Sequence, residues 1–126
     1  MNPEIMSPVA VFIAGSMVGS FLNVCIFRLP KDQSIAFPAS HCQSCHGAIV
    51  WYDNIPIVSF LLLNGKCRHC QSKISWQYPI IESLTAVMFL IFYQKFGLTP
   101  RGYLYLYLGL LLQVRLALLA LLMVYL

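Results

Sequence analysis

The chain has 126 residues, of which 60% are hydrophobic and only 10% charged, with a formal net charge of +4 and a mean hydropathy of +0.76. A soluble domain of this size carries about a quarter charged residues, so an ordinary soluble fold is excluded and a mainly α-helical membrane protein is expected. The few cations are scattered and form no basic stripe, which argues against a nucleic-acid partner and fits contact with the lipid bilayer.

Residues 5–29 form the first expected transmembrane helix, since about 20 apolar residues cross a hydrocarbon core of about 30 Å. The leading "MNPE" has no Lys or Arg, and no A-x-A pattern follows the apolar run. The stretch therefore reads as a retained helix and not as a secretory signal. Gly15, Ser16, Gly19 and Ser20 repeat small residues at a four-residue offset, and Asn23 continues that face. Such a face lets another helix approach closely, and packing within the same chain is the simplest use of it. Asn23, an amide at depth, needs a hydrogen-bond partner. Cys25 has no cysteine near it in sequence and reads as a small buried hydrophobe.

Pro30 ends this helix, and residues 30–78 are expected to form a small domain. It is too short to hold a core without a disulfide, a metal or help from the membrane helices. Short strands are expected at 49–51 and 57–63, with turns at "DNIP" and "NG". Asp53, in the first of these turns, suits an Asx-type turn. Within the domain Cys42, Cys45, Cys67 and Cys70 make two C-x-x-C pairs, with 21 residues between the pairs. Each pair can turn a knuckle that points two thiolates at one centre, and two knuckles complete a tetrahedron suited to zinc. The gap lies just beyond the usual ribbon range of about 15 to 20 residues. Lys66 and Arg68 would offset the thiolate charge. His41, His46 and His69 flank the knuckles and could each replace a sulfur, though four cysteines make that unnecessary. A closed four-thiolate site leaves no position for substrate, so it would be structural. Disulfide pairing and thiol redox chemistry are the rivals. A reducing compartment disfavours the first, and the lack of a thioredoxin-like βαβ pattern the second.

Residues 79–96 are the second expected span, with Pro79 at the first helical position and Glu82 in the first turn, where the helix dipole favours a carboxylate. The third, 103–126, is Leu-rich but carries Arg115 about 18 Å along from Tyr103. Near mid-bilayer an isolated Arg costs about 2.5 to 3.5 kcal/mol, so it needs a carboxylate partner or an unusual helix position. Tyr103, Tyr105 and Tyr107 suit an interfacial aromatic belt. Arg28, at the end of the first span, and Lys31, Lys66, Arg68 and Lys73 beyond it all precede the second span, and the N-terminal tail holds no cation. The cysteine domain is therefore expected on the cytoplasmic side.

Four strings add a family resemblance: "GSFLNVCIFRLP" (19–30), "CQSC" (42–45), "WYDNIPIVSFLLLNGKCRHC" (51–70) and "ISWQYPIIESLTA" (74–86). In order and spacing they resemble the N-terminal part of bacterial type IV prepilin peptidases. That resemblance implies a multi-pass inner-membrane enzyme of type IV pilus or type II secretion systems. It would cleave prepilin leaders with an aspartate pair and methylate the new N-terminus with S-adenosylmethionine. It also implies zinc at Cys42, Cys45, Cys67 and Cys70, and links methyl transfer to the N-terminal region. The family's peptidase step needs two aspartates, one in a G-x-G-D motif, whereas this chain has only Asp32 and Asp53, both within 30–78. No catalytic residue is assigned, and the chain is expected to be a truncated, split or decayed copy that does not cleave alone. A partner chain carrying the aspartates would complete it. Methyl transfer stays open, although no Gly-rich nucleotide loop supports it. The alternatives are a non-enzymatic zinc-binding membrane subunit that binds pilin-like helices or a partner chain, and a membrane thiol oxidoreductase.

Overall fold

The structure, a computed structural model, describes residues 6–125. The expected start of the first span at residue 5 and the end of the third at 126 lie outside the described residues. Ser7 opens α1 (Pro8–Arg28), accepting the Val9 N–H on its hydroxyl while Pro8 takes the first helical position, where no N–H is needed. A 3₁₀ turn, Leu29–Lys31, closes the helix, and Asp32 leaves it with φ of 53°.

After the cysteine-bearing segment come α3 (Gln77–Phe96) and α4 (Pro100–Tyr125). Gly97, at φ 58°, ends α3, and the Thr99 hydroxyl accepts the Gly102 N–H to start α4 on Pro100. Pro79 is thus the third residue of its helix, not the first, because the Ser75 hydroxyl already accepts the Gln77 N–H. α1, α3 and α4 are each long and apolar enough to cross a membrane.

Small residues set the packing of α1 against α3. A Cβ added at Gly15 would stand 2.7 Å from the Ala86 Cα, and one at Gly19 would stand 2.7 Å from the Glu82 Cα. One turn further, the Asn23 amide donates to the Tyr78 carbonyl at 3.2 Å. The pairs 15/86, 19/82 and 23/78 step by four residues in opposite senses, so the two helices run antiparallel. The small-residue face is therefore used within the chain. Gln113 of α4 donates to the Thr85 hydroxyl at 2.8 Å and the Ile81 carbonyl at 3.2 Å, and Thr85 also packs beside Gly19 of α1. Val11, Ile26, Ile81 and Ala86 fill the core between the helices. Arg115 is exposed on the outer side of α4 and has no ion-pair partner among the described residues.

The cysteine-bearing segment departs from the expected strands. Among the described residues there is no β-strand, only isolated antiparallel bridges at His41/Ala48 and Lys66/Lys73. Residues 51–54 form a 3₁₀ turn and Val58–Leu62 forms α2. Short apolar runs do not distinguish strand from buried helix by periodicity. Here Phe60 settles the matter by packing at 4.8 Å between ring centroids against Trp76, under the Asn64/Gly65 turn.

Candidate metal centre and its attachment to the helices

Both knuckles are built by one hydrogen-bond pattern. In the first, the Cys42 N–H donates to the Gly47 carbonyl and the His46 N–H to the Cys42 carbonyl. In the second, Cys67 donates to Ser72 and Gln71 to Cys67. The fifth residue of each turn, His46 or Gln71, has positive φ, 56° and 59°. The bond from Ile49 to Ser40, or from Ile74 to Gly65, completes the antiparallel bridge that closes each turn. Two copies of one turn thus present two sulfurs each.

The four Sγ atoms of Cys42, Cys45, Cys67 and Cys70 lie within 4.8 Å of one another, with Cys42 to Cys70 at 3.7 Å and Cys45 to Cys67 at 4.0 Å. Tetrahedral zinc with bonds of about 2.3 Å needs sulfur separations of about 3.8 Å, so the spacing suits a metal ion. A disulfide needs about 2.05 Å, and all five cysteines are free. No histidine joins the cluster; the His41 ring sits on the Ala39 carbonyl at 3.1 Å. Cys25 lies apart in α1, half-buried.

The backbone prepares the sulfurs unequally. The N–H groups of Cys45 and then Ser44 pull the Cys42 thiol down to about 5. The Ser72 hydroxyl, 3.0 Å from the Cys70 sulfur, lowers Cys70 together with its own N–H. Against the lowering effect of the Gly47 amide, desolvation and the neighbouring sulfurs push Cys45 up to about 11. Ser72 was not singled out from sequence; the only signal was a hydroxyl two residues past the last cysteine.

Arg68 does not neutralise the sulfurs as expected. Its guanidinium forks onto the Asp53 carboxylate with two bonds of 2.6 Å and lies 5.6 Å from the Tyr52 ring centroid. Asp53 therefore ties the 3₁₀ turn to the second knuckle, instead of making the expected Asx-type turn. Its hydrogen bonds with Arg68, and then the guanidinium's charge, hold its carboxyl below the usual range.

Glu82 also acts away from its own helix end. It is buried at 6% exposure, and its carboxylate accepts the Ile57 N–H at 2.7 Å. Ile57 has φ of 64° and ψ of −53°, and the Val58 N–H bonds back to the Pro56 carbonyl at 2.6 Å. This is a γ-turn at positive φ, a costly shape for a β-branched residue. A charge-assisted bond from α3 thus holds the strained turn that leads into α2.

The Bacterial Peptidase A24 N-terminal domain matches residues 13–96, a stretch with most of α1, both knuckles and α3. The chain is 47% identical over 91 residues to the prepilin leader peptidase/N-methyltransferase of Myxococcus xanthus (strain DK1622), covering 72% of this chain and 27% of the relative. It is 43% identical over 102 residues to the type 4 prepilin-like proteins leader peptide-processing enzyme of Escherichia coli O78:H11, covering 67% and 38%. With the prepilin leader peptidase/N-methyltransferase of Neisseria gonorrhoeae it shares 42% identity over 121 residues, covering 75% and 42%. The chain thus spans between 27% and 42% of the length of these curated relatives. No solved structure matches it.

Proposed function

The chain belongs to the bacterial peptidase A24 N-terminal domain family, and from that premise we propose that it is the membrane-embedded N-terminal module of a prepilin peptidase/N-methyltransferase-like enzyme. It serves type IV pilus or type II secretion in the bacterial inner membrane. The observation that carries this reading is the four-sulfur cluster within the matched segment, beside the helix pair formed by α1 and α3. Cys42, Cys45, Cys67 and Cys70 hold structural zinc, which closes residues 30–78 into a folded unit on the cytoplasmic face. The excess of Lys and Arg between α1 and α3 supports that side. Its partners are the lipid bilayer and prepilin-like proteins whose apolar N-terminal segments share the membrane.

An aspartic peptidase needs two carboxylates sharing a proton. Among the described residues the side-chain carboxylates are Asp32, exposed just after the 3₁₀ turn that closes α1, Asp53, engaged by Arg68, and Glu82, engaged by Ile57. Leader cleavage would therefore use aspartates supplied by another polypeptide segment. Methylation of an already freed pilin N-terminus is the activity to test. The donor implied by the family is S-adenosylmethionine, but the described residues form no Gly-rich loop of the usual kind, and none is assigned to hold it. The exposed Arg115 favours a second reading, a zinc-bearing subunit whose α4 meets another membrane segment.

The test is to measure zinc in the purified protein together with methyl transfer to a pre-cleaved pilin N-terminus and leader cleavage. One zinc per chain with methyl transfer supports the enzyme module. One zinc without transfer supports the subunit. Protein purified without any metal overturns the zinc reading, and cleavage by the chain alone overturns the carboxylate argument.

A further inference from the structure

Where α1 and α3 meet the cysteine domain they enclose a cavity of about 350 Å³. Ser20, Asn23 and Phe27 of α1, Tyr78 and Glu82 of α3, and Phe60 of α2 line it. Asn23 is fully buried, at 0% exposure. Its Nδ2 is spent on the Tyr78 carbonyl, while its Oδ1 is buried with no hydrogen-bond partner among the described residues. Glu82 uses Oε2 on the Ile57 N–H. The Ser20 hydroxyl also bonds to this carboxylate, and two oxygens with about four acceptor positions between them leave further capacity.

The deep part of the cavity therefore offers acceptors, one of them anionic, where water is scarce. Buried acceptors without donors are unfavourable, and a carboxylate in a low-dielectric site attracts a cation strongly. Four cations also line the cavity, of which Arg68 is paired with Asp53, itself a lining residue. Arg28 lies five residues beyond Asn23 and donates to the Ser34 carbonyl; Lys31 and Lys73 are exposed. Phe27 and Tyr78 stack at 5.2 Å between ring centroids and give the cavity an aromatic wall. Asn23 lies about 7.5 Å from the end of α1, and Glu82 about 7.5 Å from the start of α3. In the register of the pairs 19/82 and 23/78, Glu82 stands one turn, about 6 Å, deeper along the helix pair than Asn23, so the two acceptors are stacked along the cavity.

We propose that this cavity binds a primary ammonium group at the end of an apolar chain, with Asn23 Oδ1 and the Glu82 carboxylate as its acceptors. The ammonium supplies three donors and a positive charge, and the apolar chain suits the depth of the site. A polypeptide N-terminus at the membrane boundary has this chemistry, as does an ethanolamine lipid headgroup; the polypeptide is the source assigned here. This source rests on the proposed function, in which a freed pilin N-terminus is the methyl acceptor.

The test uses the full chain in detergent and a fluorescent apolar peptide with either a free or an acetylated N-terminus, read by anisotropy. Glu82→Gln keeps an oxygen for the Ile57 N–H and removes the charge, and Asn23→Leu keeps the volume and removes the free acceptor. Retained metal content and helicity report that each variant is folded. The wild type is expected to bind the free-amine peptide at least about tenfold more tightly than the acetylated one, as charge-assisted bonds require. Each folded variant should lose most of that preference. Equal binding of the two peptides, or full preference kept in a folded variant, overturns the site. Phosphatidylethanolamine displacing the peptide in micelles, with the same dependence on Glu82, overturns the polypeptide assignment. The readout needs no methyl donor. Methyl transfer without amine preference would thus sink the site alone, and amine preference without transfer would sink only the enzyme reading.

Discussion

Replacing Cys42 with Ser asks whether a metal holds residues 30–78 together. Between residues 32 and 76 only Phe60 and Cys67 are buried, at 8% and 9% exposure. Burying one Phe contributes about 1.5 to 3 kcal/mol. Ordering the backbone costs about 1 to 2 kcal/mol for each residue, so the packed side chains of this segment cannot hold it alone. Structural zinc in comparable small domains contributes about 10 to 16 kcal/mol at pH 7. Removing one of four sulfurs takes away the larger part of the only term of sufficient size. Zinc content should fall from one per chain toward zero, and limited proteolysis between residues 32 and 76 should speed up at least about tenfold. The contacts of Gly15 with Ala86 and of Gly19 with Glu82 involve no cysteine, so far-ultraviolet helicity should be nearly unchanged. A variant with wild-type protease resistance and no metal would refute the reasoning.

In metal-free protein at pH 7, iodoacetamide should modify Cys42 well before Cys45, although Cys45 is the more exposed, because only the thiolate reacts and the two thiols sit at about 5 and about 11; peptide mass mapping checks the order. For the same reason the metal should be held above pH 5 and released as pH falls through the lowered value of Cys42, which a chromogenic chelator can follow. Gly15→Val would push a Cβ to 2.7 Å from the Ala86 Cα, and should destabilise the α1 and α3 pair by about 1 to 3 kcal/mol in detergent unfolding. Gln113→Leu removes two donors to α3 and should loosen α4 by about 0.6 kcal/mol, measurable by steric trapping.

The helices and the clustering of the four cysteines were legible because their signals are local. Long apolar runs have one solution in a membrane, and C-x-x-C carries its own turn. The four-residue step of Gly15, Gly19 and Asn23 was legible too, since spacing alone puts them on one face. What the sequence hid was pairing at a distance. Asp53 looked like a turn residue because its partner Arg68 lies 15 positions away, and Glu82 looked like a helix cap because nothing local marks Ile57 as its donor. The run at 57–63 looked like a strand because its apolar residues fit either period, and the contact of Phe60 with Trp76 decides between them.

Arg115 has an electrical consequence. It lies a little past the midpoint of α4, fifteen residues beyond Pro100, on the side turned away from α3. If α4 spans the membrane, a unit charge at that depth feels about half of the transmembrane voltage, or about 1 kcal/mol for each 100 mV. That is comparable to the hydrogen bonds by which Gln113 fastens α4 to α3. An energised membrane, negative inside, would draw this side chain toward the cytoplasm, so the resting voltage contributes to where α4 sits along its axis.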